Sequence, residues 1–114
     1  MTLREPFWDL HTGDEIRTVR AVLVRRFPSS YALLESCLEK ADPFEIVYPN
    51  NPGEYDAVVR EVLVLLAPFG GSVEGMSVDF AFDLLTESLA RCFGETAPAE
   101  RVRHAAALLT AAST

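Results

Sequence analysis

Residues 51–71 read NPGEYDAVVREVLVLLAPFGG, and this stretch decides the fold. Its apolar residues recur every three or four positions, which is the periodicity of an amphipathic helix. The run Val62–Leu66 also resembles a strand, but a lone strand would have unpaired edges and no partner of comparable quality in the chain. We therefore predict a helix here, which Pro68 and the glycine pair at 70–71 bring to an end.

The start of this helix is marked by polar residues. Asn51 is a favoured N-cap, and Pro52 suits the first helical position because its missing N–H has no partner there in any case. Glu54 and Asp56 suit the positive end of the helix dipole. The sequence therefore predicts that the helix begins at residues 51–54.

Two helices precede this one. The first begins at a capping box, Thr12–Glu15, and its predicted apolar face consists of Ile16, Val19, Leu23 and Phe27. Pro28 ends it, and Ser29 or Ser30 is the predicted cap of a second helix. That helix stops at the Asp42-Pro43 step, because a residue before proline disfavours helical geometry.

Two more helices follow. A fourth is predicted from a Ser77 cap to a Gly94 stop, with an apolar stripe of Val78, Ala81, Phe82, Leu85, Leu89, Cys92 and Phe93. A fifth is predicted from about Pro98 to Ala111, and its alanines allow close approach of neighbouring helices. The predicted fold class is all-α, a compact bundle of about five helices.

Length and composition indicate one domain, residues 1–114. The chain is 49% hydrophobic, enough for one core. Residues 1–28 form an N-terminal extension with the first helix, and residues 29–114 form the core.

The longest apolar run is far short of the roughly 20 residues that span a bilayer, and the start, MTLREPFWDL, has no apolar signal core. We expect a cytoplasmic protein that does not enter a membrane, with Cys37 and Cys92 as free, buried thiols.

The net charge of −7 is unevenly distributed. Residues 29–95 hold twelve acids against three bases, which is −9 for this segment. Such a surface repels phosphate backbones, so nucleic acid is an improbable ligand. Two interpretations remain: the acids attract a basic protein partner, or they only keep the protein dispersed. Arg17, Arg20 and Arg25 are candidates to meet some of these acids.

Three short motifs carry a family resemblance. They are DPFEI at 42–46, EYD at 54–56 and CFGE at 92–95. In this order they resemble the small helical bacterial proteins of the domain-of-unknown-function family 1871, in which a Trp-Asp-Pro-hydrophobic-Gly turn precedes a Glu-Tyr-Asp helix start. A later helix of that family ends near a Trp-Phe-Gly step. The resemblance covers roughly residues 30–110.

The chain departs from the family pattern at three positions. Ala41 stands where the family tends to have tryptophan, Glu45 where it has glycine, and Cys92 where it has the second tryptophan. The resemblance implies an all-helical fold and no established activity. Immunity proteins that neutralise bacterial toxins resemble this chain only in size and charge.

Catalytic residues are scarce. His11 and His104 are the chain's two histidines, and neither has a second ligand at metal-binding spacing. Cys37 lies between Glu35 and Glu39, whose charges would oppose a thiolate. We therefore predict that the protein is not an enzyme, with no cofactor and no metal site.

The segment Asp42 to Asp56 contains four acids and three prolines. One interpretation makes its acids oxygen ligands for calcium or magnesium, although their spacing is not that of a calcium loop. In a second, Asp42 accepts backbone N–H groups, the three prolines stiffen the turn, and Phe44, Ile46 and Tyr55 fold back onto the core. In a third, an acidic rim docks a basic partner around Phe44 or Tyr48. The predicted partner-binding residues are Phe44, Glu45, Tyr48, Asn50, Glu54 and Asp56.

Within that set, Glu45, Tyr48 and Asn50 have no predicted structural role.

Phe7 and Trp8 lie before the first helix and need a surface to cover, either the end of their own bundle or a second copy in a homodimer. The function we expect is a non-catalytic protein-interaction module, in its sharpest form an immunity-type inhibitor. The alternative is a small enzyme or ligand-binding domain that uses the segment Asp42 to Asp56.

Overall fold

The computed structural model describes residues 13–46 and 54–112, so Phe7, Trp8, Tyr48 and Asn50 lie outside the described residues. Five α-helices occur in the described part: α1 Gly13–Arg26, α2 Pro28–Ala41, α3 Asp56–Leu66, α4 Val78–Phe93 and α5 Ala99–Ala112. No strand is present there, and the run Val62–Leu66 lies within α3. The predicted all-α fold is therefore confirmed.

The junction between α1 and α2 differs in detail from the prediction. Pro28 ends α1 as expected, but it is also the first residue of α2, with Phe27 at the N-cap. A serine cap at residue 29 or 30 is therefore wrong, because proline needs no N–H at the first helical position. The Ser30 hydroxyl instead donates to the Gly71 carbonyl oxygen at 2.8 Å.

The ends of the segment between α2 and α3 are both defined. Asp42 caps α2 in the left-handed conformation, and its N–H donates to the Leu38 carbonyl. The third helix begins at Asp56, after an N-cap at Tyr55, which is later than the predicted start at residues 51–54. Tyr55 is buried, and inserting its ring into the core keeps residues 54 and 55 in a turn before the helix starts.

The end of α3 agrees with the prediction. A 3-10 turn, Ala67–Phe69, follows it, and Gly70 and Gly71 both have positive φ. Gly71 also lies against Phe27, the N-cap of α2, since a Cβ built at Gly71 would lie 2.3 Å from Cε1 of Phe27. Only glycine combines this backbone conformation with so close an approach.

The limits of α4 are confirmed at both ends. The Ser77 hydroxyl accepts a hydrogen bond from the Phe80 N–H at 3.1 Å, and Gly94 has φ 75° as the left-handed C-cap. Both features are local, so they could be predicted from residue type alone.

All five helices contribute to a single hydrophobic cluster. Four side chains of α3 are fully buried in it: Val58, Val59, Val62 and Leu63. Helix α5 packs against both α2 and α4, where Ala105 and Ala106 are fully buried. Cys37 and Cys92 are both free, as expected, but only Cys37 is buried as predicted; Cys92 is half-buried. In residues 13–46 and 54–112, no helix is long and apolar enough to cross a bilayer.

Candidate functional site

The Asp42 carboxylate organises the turn that follows α2. Its Oδ1 accepts hydrogen bonds from the Tyr55 hydroxyl at 2.7 Å and from the Ile46 N–H at 2.8 Å. The Tyr55 oxygen in turn accepts from the Phe44 N–H at 2.9 Å. Burial raises the pKa of Tyr55, and the Asp42 carboxylate also raises it. The hydrogen bond from the Phe44 N–H acts in the opposite direction and lowers this pKa. The structural interpretation of Asp42 and this turn is confirmed.

The aromatic residues of the turn pack inward. The ring centroids of Phe44 and Phe93 are 4.7 Å apart. The ring centroids of Tyr55 and Phe93 are 5.9 Å apart, and these two rings meet edge to face. These are favourable aromatic separations. Phe44, predicted as a partner anchor, is therefore half-buried against α4, with Phe93 more exposed beside it.

Glu45 has a structural contact that the sequence does not reveal. Arg101 of α5 donates from Nη2 to Glu45 Oε1 at 2.5 Å and from Nη1 to the Asp42 carbonyl oxygen at 3.1 Å. Glu45 itself has a positive φ of 55°. The sequence assigned no structural role to Glu45, because its partner Arg101 is distant along the chain and is brought to the turn only by the packing of α5.

Asp56 joins three helices. It accepts hydrogen bonds from Arg20 Nε of α1 at 3.3 Å, from the Tyr31 hydroxyl of α2 and from Arg60 Nη1 of its own helix. The expectation that an N-terminal arginine meets an acid of the middle segment is confirmed for Arg20. Burial raises the pKa of Tyr31, while the positive charges of Arg20 and Arg60 lower it in part. Burial also lowers the pKa of Arg60.

A second charged pair lies between α3 and α4. Glu61 is fully buried, and its Oε1 lies 3.3 Å from Arg91 Nη1. Burial, followed by the charge of Glu61, raises the pKa of Cys92 to about 12. Burial likewise raises the pKa of Cys37. The thiols are therefore protonated at neutral pH, which does not favour a nucleophilic role.

Sequence reasoning missed the buried charges Arg60 and Glu61. A signal was available, because both lie within the wide apolar arc of α3, where a charged residue needs a partner. Arg91, the partner of Glu61, and Arg101, the partner of Glu45, had no such signal. They are close only because α4 and α5 pack where they do.

The acids of the segment Asp42 to Asp56 serve separate purposes. Asp42 stabilises the turn, Asp56 joins helices, and Glu54 is half-buried before α3. Among the residues that the structure describes, no three His, Cys, Asp or Glu side chains lie close enough to hold a metal ion.

Helix α4 carries three exposed acids. Asp79, Asp83 and Glu87 follow one another at four-residue spacing, so they form one column on the helix surface. We call this column, together with Glu74 in the preceding turn, the α4 acidic face. The side chains of Asp79 and Glu87 are 88% and 59% exposed. Their arginine contacts are loose, at 3.4 Å and 3.9 Å.

Phe80 lies next to this column and is 53% exposed, the highest value among the large apolar residues described. Sequence analysis did not single out Phe80. A signal existed, because Phe80 falls outside the apolar stripe of its helix, where a large aromatic residue has no core to fill.

These observations define a small all-α protein with inward-facing charges that tie its helices together and a column of exposed acids on α4. Comparison of the chain with family models, curated proteins and solved structures gave no match.

Proposed function

We propose that the protein is a non-catalytic interaction module that binds a basic protein partner through the α4 acidic face. The observation that carries the proposal is the state of Glu74 and Asp83. Both are exposed, and neither makes a salt bridge or side-chain hydrogen bond to its carboxylate among the described contacts. Their charges remain available to an approaching partner.

The energetics of α4 support the same surface. Like charges at four-residue spacing destabilise a helix by about 0.2–0.5 kcal/mol for each pair. The column Asp79, Asp83 and Glu87 contains two such pairs. A basic partner would convert this repulsion into attraction and would speed its own association by electrostatic steering.

The surface first expected for this role, the segment Asp42 to Asp56, has weaker support. Asp42 and Asp56 already accept several hydrogen bonds each, and Glu45 pairs with Arg101. Binding a partner there would first have to break these contacts. For the same reason, no observation favours an enzyme or small-ligand site in this segment.

Immunity to a toxin is the sharpest form of the proposal. A small acidic protein can neutralise a basic toxin by covering its active surface, and electrostatic complementarity makes such binding fast. The genetic test is co-expression with the product of a neighbouring gene that arrests growth. We expect the intact chain to restore growth and the Asp79→Asn/Asp83→Asn variant to fail.

The biochemical test starts with immobilised protein. Proteins captured from a lysate of the source organism are purified, and their dissociation constants are measured between about 0.05 and 0.5 M salt. We expect basic proteins whose affinity falls steeply with salt and with the substitutions Asp79→Asn/Asp83→Asn. The matched control, Glu95→Gln/Glu100→Gln, removes two exposed charges beyond the other end of α4. Equal affinity of wild type and both variants at every salt concentration would refute the proposal.

A further inference from the structure

The exposed ring of Phe80 borders a groove between the end of α3 and the start of α4. The groove has a volume of about 450 Å³ and is lined by Leu66, Ser72, Glu74, Gly75, Met76 and Phe80. Its walls combine an aromatic ring, a flexible thioether and a leucine side chain, and Val78 beside it is 36% exposed. Methionine adapts to varied apolar shapes, so such a groove can accept side chains of different form.

Glu74 is the one charged residue among the described residues that line the groove. Asp79 and Asp83 lie beside Phe80 on α4, and Asp79 also contacts Arg103 at 3.4 Å. An apolar centre with an acidic rim complements a segment that has an apolar stripe between basic residues. This is the arrangement by which grooves bind amphipathic helices.

We propose that this groove docks a basic amphipathic helix of the partner, with a large apolar side chain against Phe80 and lysines or arginines against the α4 acidic face. This inference rests on the proposed function, for which it supplies the form of the partner. Charge complementarity selects this occupant over two others. A second copy of the chain would bring the same acids face to face in a two-fold interface, and an anionic membrane surface would repel them.

The test uses two synthetic peptides of about eighteen residues, which is five helical turns. One is an amphipathic helix of leucine and lysine, and the other keeps the lysines but replaces every leucine with serine. Binding of each peptide is measured by fluorescence anisotropy. We expect the intact chain to bind the leucine–lysine peptide about tenfold or more tightly than the serine–lysine peptide.

Three variants separate this inference from the proposed function. Phe80→Ser should remove the preference for the leucine–lysine peptide. The matched control is Val22→Ser, which changes an apolar residue of α1 with 37% exposure and should retain the preference. Asp79→Asn/Asp83→Asn should weaken binding of both peptides. Circular dichroism and thermal melting establish that each variant is folded.

The outcomes differ for the two ideas. If Phe80→Ser keeps the full preference while the acid substitutions still weaken both peptides, the docking groove is refuted and the acidic interaction surface stands. If the acid substitutions change neither peptide's affinity, both are refuted. A dimer of the intact chain that Phe80→Ser dissociates would assign the groove to a second copy and overturn the inference.

Discussion

The Tyr55 hydroxyl lies 2.7 Å from Oδ1 of Asp42 and couples the first residue after α2 to the residue before α3. This bond links the two ends of the segment between α2 and α3. Removing the hydroxyl leaves the Asp42 carboxylate and the Phe44 N–H without this partner in a partly buried place.

We expect Tyr55→Phe to lower the free energy of unfolding by about 1–3 kcal/mol, the range for removing one member of a buried hydrogen bond. Denaturant unfolding at neutral pH measures it. The double variant Asp42→Asn/Tyr55→Phe should be less destabilised than the two single losses combined, because both changes disrupt one contact. Strict additivity would contradict the coupling.

Asp56 should matter more than an ordinary surface acid. Asp56→Asn removes the charge that faces Arg20, Arg60 and the Tyr31 hydroxyl, and the Arg60 side chain is only 7% exposed. Because Asp56 itself is partly accessible to water, we expect a loss of about 2 kcal/mol rather than the full value for a buried pair. The control is Asp83→Asn, which should not lower stability and should raise it by up to about 1 kcal/mol, because it relieves two like-charge pairs. Equal effects would show that the network does not stabilise the fold.

Gly71 should tolerate alanine less well than Gly75. Both glycines have a positive φ, so alanine is strained at either position by about 1 kcal/mol or more. At Gly71 the new methyl group would also meet the Phe27 ring, whereas at Gly75 it would find open space. Thermal melting of Gly71→Ala and Gly75→Ala separates the steric contribution from the backbone strain. Equal melting temperatures would contradict the close contact between Phe27 and the glycine turn.

Stability should decrease in alkaline solution, in part through Cys92. Its pKa is raised from 9.0 to about 12 on folding, so the folded state holds the thiol proton more tightly than the unfolded state. The resulting stabilisation is fully present below pH 9 and is lost as the pH rises through about 12. Denaturant unfolding at a series of pH values should show a shallower decline for Cys92→Ala than for the intact chain. Tyr55 acts in the same direction from pH 10 upward.

Several features of the fold could be predicted because their causes are local. Ser77 and Gly94 limit α4 through hydrogen bonds and backbone angles confined to a few neighbouring residues. The 3.6-residue periodicity identified α3 as a helix despite its strand-like run. The start of α3 was misjudged because the burial of Tyr55 competes with the local capping preference of the preceding residues.

The candidate site was less predictable. Charge composition pointed to an acidic surface, and the segment Asp42 to Asp56 concentrated enough acids to suggest its place. Which acids face water depends on where cations lie in the folded chain. Arg101 is 56 residues from Glu45 in sequence, and Arg20 is 36 residues from Asp56. No short pattern encodes such pairs.

By itself, the sequence determined the helical class, most of the helix ends and the sign of the surface charge, since periodicity, caps and composition act within a few residues or over the whole chain. Only the tertiary structure decided that Asp42 and Asp56 join separate elements of the bundle, that Glu45 pairs with Arg101, and that Asp83 and Phe80 are exposed. The physical reason is that burial and ion pairing depend on distances between helices, and packing alone sets those distances.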